Sequence, residues 1–169
     1  MFEKGEYVIY GNSGVCRILE VGVPEIVRDM TDKLHYTLSP VYREETIYTP
    51  VDTVIFIRPV MDEETARKFI SQIPYIEGDL DMTLSSKLLK EKYQQLMKSH
   101  DCEDLVVLIK FLKAKIEKAI RDKRKPNEID QDYLKRAEGL LYGELSVVFG
   151  IPFEEVPERI GRALDRSFL

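Results

Sequence analysis

The chain has 169 residues, of which 44% are hydrophobic and 33% are charged, and it carries a formal net charge of −5. This length is sufficient for one domain or two small domains with a hydrophobic core. No window contains the roughly 18 consecutive apolar residues that a membrane span needs, and the N-terminus lacks the charged-then-apolar pattern of a secretory signal. We therefore expect a cytoplasmic protein that makes no membrane contact.

The residue types that support catalysis or metal binding are few and scattered. Cys16 and Cys102 lie far apart and outside any C-x-x-C spacing, which predicts reduced thiols rather than a disulfide framework. His35 and His100 have no cysteine or carboxylate at metal-ligand spacing, and no Cys-His or Ser-His-Asp arrangement is visible. We therefore expect a protein that is not an enzyme and that uses no metal or cofactor.

The overall negative charge conceals one basic region. Residues 87–125 carry 12 basic and 6 acidic side chains, whereas the segments before and after them are acidic. Because Lys and Arg neutralise phosphate groups, such a region favours a nucleic-acid partner. Charged residues on the outer face of a helix are also ordinary solubilising residues, so both interpretations stand at this point.

The first 60 residues have the pattern of short β-strands. Val, Ile, Thr and Tyr are concentrated in five runs that are bounded by Gly, Pro, Asn, Asp or charged residues. The runs are 7–10, 14–21, 34–38, 45–50 and 53–58. Because the strands are so few and short, they favour a small, strongly bent barrel or sheet.

The stretch GNSG at positions 11–14 has the composition of either a phosphate loop or a turn. A P-loop requires Lys and then Ser or Thr after its last glycine, at the start of a helix, whereas VCRI follows here and continues as a strand. Asn and Gly tolerate positive φ and are the usual residues of tight hairpins. The stretch therefore predicts a hairpin turn that holds no ligand.

After Pro59 the apolar residues recur every three or four positions, which predicts an all-helical region of four or five helices. The first helix stops at Pro74, the fourth ends at Gly150, and a last helical piece follows Pro152. The predicted N-caps of the second, third and fourth helices are Thr83 or Ser85, Asp101, and Asp130.

Many of the basic residues within 87–125 recur at helical spacing. On the second predicted helix, those that fall near one face are Lys87, Lys90 and Lys98. On the third, those that recur at steps of three to five are Lys110, Lys113, Lys118, Arg121 and Arg124. Cations without hydrogen-bond acceptors for base edges suit contacts to the phosphate backbone rather than sequence reading.

Three stretches recur together in one known family: FEKGEYVIYGNSGV at 2–15, ETIYTPVD at 45–52 and YLKRAEGLLYGEL at 133–145. The first two resemble the F-x-x-G-D-x-V-V-Y-x-x-H-G-V and I-x-V-P-V patterns of the CarD-like bacterial transcription factors. The N-terminal module of that family is shared with transcription-repair coupling factor. The third stretch is similar to the family's L-x-x-A-x-x-L-L-x-G-E-L helix, and the resemblance covers nearly the whole chain.

The resemblance implies an α+β fold, with a small Tudor-like β-barrel at 1–60 that interacts with RNA polymerase and an all-helical domain at 61–169. In this family the sheet edge docks on the polymerase β subunit, while the helical domain contacts promoter DNA and changes the lifetime of the open complex. Carried onto this chain, the polymerase contacts are Glu45, Thr46, Ile47, Tyr48 and Thr49. The implied DNA contacts are Leu84, Ser86, Lys87, Lys90, Lys110, Lys113, Arg121, Arg124, Lys135 and Arg136.

The sequence departs from the family in two features. Family members wedge a tryptophan into the minor groove from the start of the second helix of this domain, but this chain has no Trp and has Leu84 and Ser86 there. Ser13 stands where the family usually has a histidine. We predict a transcription regulator that binds the polymerase β subunit and the DNA backbone. The alternative is a polymerase-bound adaptor whose helical domain binds a protein rather than DNA.

Overall fold

The computed structural model describes the main chain of residues 1–165 and the side chains of residues 1–160. The chain divides into two compact units, of which the first is Met1–Met61 and the second begins at Asp62. The first unit is an antiparallel sheet and the second is helical, which confirms the predicted α+β class.

The sheet of the first unit has five strands. They are β1 (Tyr7–Tyr10), β2 (Gly14–Gly22), β3 (His35–Pro40), β4 (Ile47–Pro50) and β5 (Ile57–Pro59). All neighbouring strands are antiparallel, and their order across the sheet is β4-β3-β2-β1-β5. The two edge strands are therefore β4 and β5.

The predicted barrel is not closed, because β4 and β5 lie at opposite edges of the sheet. The predicted strand at 53–58 is also shorter than expected. Thr53 N–H donates to the Pro50 carbonyl at 3.0 Å and Ile55 N–H donates to Thr53 Oγ1 at 3.1 Å. These local hydrogen bonds form a turn that competes with strand pairing, so β5 begins only at Ile57.

The GNSG stretch is the connection between β1 and β2. Gly11–Ser13 form a single 3₁₀ turn, and Tyr10 pairs with Gly14 across the hairpin. Gly11 and Gly14 have φ values of +46° and +73°, which side chains disfavour. The Gly11 N–H donates to the Phe56 carbonyl at 2.8 Å. The stretch is thus the predicted hairpin turn.

The core of the sheet lies on one face. Its buried members are Val8, Tyr10, Cys16, Ile18, Tyr36 and Leu38. They alternate along β1, β2 and β3, as side chains on one face of a strand must. Burial raises the pKa of the Cys16 thiol to about 11, so this cysteine is a protonated core residue near neutral pH.

In the part of the second unit that the structure describes, there are five α-helices. They are α1 (Glu63–Gln72), α2 (Ser86–Lys98), α3 (Cys102–Arg121), α4 (Glu128–Phe149) and α5 (Val156–Asp165). Ser85 and Asp101 are the N-caps of α2 and α3, as predicted. Gly150 ends α4 in the left-handed conformation, also as predicted.

The predicted start of α4 is wrong. The N-cap is Asn127, whose side chain accepts hydrogen bonds from the Ile129 and Asp130 N–H groups at 2.8 and 3.4 Å. Asp130 lies in the first turn of α4 and is only 3% exposed, and its carboxylate is occupied by Tyr93 and Lys115, as described below. The helix therefore begins one turn earlier than the sequence pattern indicated.

The helical core is built chiefly between α3 and α4. Its fully buried members include Leu108, Ile109, Leu112, Leu141 and Leu145. The ring of Tyr93 from α2 packs on Phe111 and Tyr133 at centroid distances of 6.1 and 5.4 Å, which fixes α2 against the α3–α4 pair. Among the described helices, none has the length and apolar character of a transmembrane segment.

Candidate functional site

The free edge of β4 is the first candidate site. The Val51 N–H donates to the Leu34 carbonyl at 3.0 Å, on the side of β3. Because main-chain groups alternate direction along an antiparallel strand, Ile47 and Thr49 also face β3, and Tyr48 faces outward. The Tyr48 N–H and the carbonyls of Tyr48 and Pro50 therefore point to the outer edge of the sheet, where a further strand can pair.

The side chains of β4 divide between the two faces of the sheet. Thr49 is buried, and its hydroxyl accepts a hydrogen bond from the Tyr10 hydroxyl at 3.0 Å. Ile47 packs against the core cluster from the same face. Tyr48 is 43% exposed on the opposite face. The strand is thus fixed by its inward side chains while its outer main chain and Tyr48 are presented to solvent.

The segment before β4 is polar and exposed. Arg43 and Glu45 form an ion pair at 3.3 Å, and Arg43 also donates to the Ser13 carbonyl at 3.3 Å. Glu45 and Thr46 precede the strand and are exposed. Of the five predicted polymerase contacts, Glu45, Thr46 and Tyr48 are exposed, whereas Ile47 is half-buried against the core and Thr49 is buried.

A basic cleft in the helical unit is the second candidate site. Its volume is about 460 Å³, and it lies between the second half of α3, the α3–α4 connection and the first turn of α4. The cations that line it are Lys115, Lys118, Arg124 and Lys125. We call these residues, with the apolar groups between them, the basic cleft.

A buried network supports the basic cleft. The Asp130 carboxylate accepts a hydrogen bond from the Tyr93 hydroxyl at 3.0 Å and pairs with Lys115 Nζ at 2.7 Å. Burial, with the adjacent Asp130 charge second, raises the pKa of Tyr93, so its hydroxyl stays a donor. The network joins α2, α3 and α4 and neutralises the one acidic side chain of the cleft.

Lys110 does not belong to a DNA-facing surface, so this prediction is wrong. Its side chain is only 8% exposed, and its ammonium donates to the carbonyls of Ile73 and Ile76, the latter at 2.7 Å. The desolvation that accompanies burial lowers the pKa of Lys110. Lys110 therefore ties the segment after α1 to α3 and is unavailable to phosphate.

The other basic residues predicted on α3 lie at different places around the helix. Lys113 is half-buried near Glu138 of α4. Burial raises the pKa of Glu138, and the positive charge of Lys113 offsets part of that rise. Arg121 is exposed, and Arg124 lines the cleft while pairing with Asp122 at 3.1 Å. The even spacing in the sequence thus does not correspond to one basic stripe.

The remaining predicted DNA contacts are accessible but are not part of the cleft lining. On α2, Ser86, Lys87 and Lys90 are exposed, and Leu84 just before the helix is half-buried. The exposed residues on α4 are Lys135 and Arg136. Arg136 lies over the ring of Tyr133 at 4.8 Å and pairs with Asp132 at 3.7 Å.

The prediction from sequence missed Lys115 and Lys125 and gave Lys118 no special place. Lys115 is drawn into the cleft by Asp130, which is 15 residues away in sequence, and Lys125 is placed there by the α3–α4 connection. Met82, which precedes α2, also lines the cleft and is 37% exposed. A cleft assembled from three separate segments leaves no local periodicity to detect.

Within the described part of the chain, no three His, Cys, Asp or Glu side chains are grouped closely enough to hold a metal ion. Neither cysteine forms a disulfide: Cys16 lies in the core of the sheet, and Cys102 is half-buried with its Sγ 3.5 Å from Glu144 Oε1.

The comparison with known protein families matches residues 2–61 to the CarD-like/TRCF RID domain. The match spans all five strands and ends where the first compact unit ends. It confirms the resemblance for the N-terminal part of the chain, and domains of this family mediate interaction with RNA polymerase rather than catalysis. The helical unit lies outside the matched residues, and the search of curated proteins found no match to the chain.

Proposed function

We propose that this chain, whose N-terminal unit belongs to the CarD-like/TRCF RID domain family, is a non-enzymatic transcription regulator. Its sheet docks on the β subunit of RNA polymerase, and its helical unit contacts the phosphate backbone of promoter DNA. The consequence of holding both partners is a change in the stability of the open promoter complex. This activity belongs to the cytoplasm, where the polymerase is found.

The free edge of β4 is the observation that carries the proposal. An edge strand with outward main-chain groups can pair with a strand of a partner and so extend the sheet. Here the outward groups belong to Tyr48 and Pro50, and the inward side chains Ile47 and Thr49 hold the strand in place. The family match covers this whole sheet, and its members interact with RNA polymerase.

The basic cleft supports the DNA contact. Its cations converge on one surface, although the chain as a whole carries a net charge of −5. Contacts from Lys and Arg to phosphate position a protein on DNA without reading its sequence. The exposed Lys87 and Lys90 at the start of α2 add further phosphate contacts outside the cleft.

The experiment that tests the proposal is the lifetime of the open complex with and without the protein. Promoter DNA and polymerase are mixed, a competitor is added, and the decay of the open complex is followed. We expect the wild-type chain to change the lifetime, and Tyr48→Pro to change it less at the same protein concentration, because this variant loses the outward N–H of β4. An unchanged lifetime with the wild-type chain contradicts the proposal.

A second function is a polymerase-bound adaptor whose helical unit binds a protein. The observation that favours it is that cleft cations already have acidic neighbours, since Arg124 pairs with Asp122 and Lys125 lies 3.8 Å from Glu128. A gel-shift assay at low salt separates the two functions. A complex with DNA supports the regulator, and no DNA complex even with polymerase present supports the adaptor.

A further inference from the structure

The basic cleft has an apolar wall as well as cations. Ile116 and Ala119 of α3 line it from one side, and Pro126 lines it from the α3–α4 connection. Met82 closes the lining from the segment before α2. A surface that holds only backbone phosphates needs no such wall, because phosphate groups make charged and polar contacts.

The cations of the cleft differ in how free they are to bind a ligand. Lys115 is paired with the Asp130 carboxylate, which also accepts a hydrogen bond from the Tyr93 hydroxyl. Lys118 makes no ion pair within the described residues, and its ammonium has three donors to offer. Lys125 is 3.8 Å from Glu128 with both side chains more than four-fifths exposed, an ion pair that contributes little.

Arg124 adds a planar group to this arrangement. One nitrogen of its guanidinium pairs with Asp122 at 3.1 Å, and the other donors and the flat face of the group are left. Guanidinium planes stack on nucleic-acid bases and also bind phosphate. The cleft therefore combines phosphate donors, a stacking plane and an apolar wall within a volume of about 460 Å³.

We propose that the basic cleft binds a single unpaired nucleotide, with its phosphate on Lys118 and Lys125 and its base against Met82, Ile116 and Arg124. This inference rests on the proposed function and names the form of DNA that the helical unit prefers. Duplex DNA keeps its bases paired and stacked, so it exposes base edges in its grooves but no free base that could enter the cleft. An unpaired strand, or a free nucleoside triphosphate with the same chemistry, can place its base in the cleft.

The buried network keeps the cleft open for this ligand. Asp130 at its base would repel phosphate if it were a free carboxylate, but Lys115 and Tyr93 take both of its oxygens. The same contacts hold α2 against α3 and α4, so Met82 and Ile116 are presented on one surface. The ligand then replaces solvent and displaces no internal contact of the network.

The test measures the affinity of the full chain for four probes by fluorescence anisotropy and competition. The probes are an oligothymidylate, a duplex of the same length, deoxythymidine triphosphate and inorganic tripolyphosphate. We expect the oligothymidylate to bind more tightly than the duplex, and the nucleotide more tightly than tripolyphosphate. Binding of the nucleotide without the oligothymidylate identifies free nucleotides as the source of the ligand and supports the site.

Two variants and one control locate the binding. Lys118→Gln with Lys125→Gln removes two phosphate donors and is expected to weaken binding of all four probes about tenfold or more. Met82→Ser changes an exposed side chain and is expected to weaken binding of the oligothymidylate and of the nucleotide roughly threefold, while binding of tripolyphosphate is unchanged. Lys68→Gln removes an exposed lysine of α1 that lies outside the cleft lining and outside the predicted DNA contacts, and it is the control.

Two results overturn the inference. Duplex DNA bound as tightly as the oligothymidylate, with no nucleotide binding, contradicts it while leaving the proposed DNA contact intact. Equal losses in Lys68→Gln and in the double variant show a diffuse charge effect rather than a site. If the chain binds no DNA at all, the proposed function is contradicted instead. Binding of deoxythymidine triphosphate alone then decides whether the cleft is a nucleotide site.

Discussion

The β4 edge and the basic cleft recognise their proposed partners by different means. The edge offers main-chain groups whose direction is set by the pairing of β4 with β3, so the fold itself determines it. The cleft offers charged side chains from α3 and from the α3–α4 connection, and one of them, Lys115, is held by a buried carboxylate of α4. The first surface therefore depends on strand geometry, and the second depends on packing of the helices.

Removing the Asp130 carboxylate at the base of the cleft is expected to have the largest effect, which is a loss of stability. Asp130→Ala leaves the Tyr93 hydroxyl and Lys115 without their partner inside the helical unit, which we expect to cost about 3 kcal/mol of unfolding free energy. The loss of helical circular dichroism in urea measures this cost. The matched control is Asp132→Ala, since Asp132 is exposed on the same helix and its loss is expected to cost about 0.5 kcal/mol or less. Similar costs for the two variants would show that the network is unimportant.

The salt dependence of binding distinguishes the basic cleft from the β4 edge without any mutation. If the cleft makes about three phosphate contacts, DNA affinity falls roughly fortyfold between about 50 and 200 mM salt. Strand pairing at the β4 edge involves neutral main-chain groups, so binding to the polymerase β subunit is expected to change little over the same range. Titrations of both partners at several salt concentrations give the two slopes. Parallel slopes would contradict the division between main-chain and charge recognition.

The β4 edge is tested by removing one outward N–H group. In Tyr48→Pro this group is lost without a loss of pairing to β3, because Tyr48 faces away from that strand. We expect the affinity for the β subunit to fall about tenfold, as for one hydrogen bond with its partner left unsatisfied. The control Tyr48→Thr keeps the N–H and a good strand residue, and calorimetry compares the three proteins. A loss as large in the control would assign the recognition to the side chain instead.

Local sequence patterns predicted the elements of this fold but not its long-range contacts. The strand β1, the hairpin turn at 11–14 and the caps Ser85 and Asp101 follow from nearby residues, and the structure has them where expected. Closure of the barrel depends on whether β4 and β5 meet, which no single strand encodes. Helical spacing likewise could not show that the Lys110 ammonium is buried and donates to two carbonyls more than 30 residues earlier in the chain.

The start of α4 gives the smallest predicted effect and the clearest case of two competing local signals. Asn127 and Asp130 are both favourable capping residues three positions apart, and the buried partners of Asp130 decide between them. Asn127→Ala leaves two first-turn N–H groups without their side-chain acceptor and is expected to cost about 1 kcal/mol, less than Asp130→Ala. Urea denaturation measures both variants, and Asn127→Asp, which keeps a capping oxygen, is expected to retain the wild-type stability. If Asn127→Ala costs more than Asp130→Ala, capping rather than the buried network fixes the start of this helix and with it the base of the cleft.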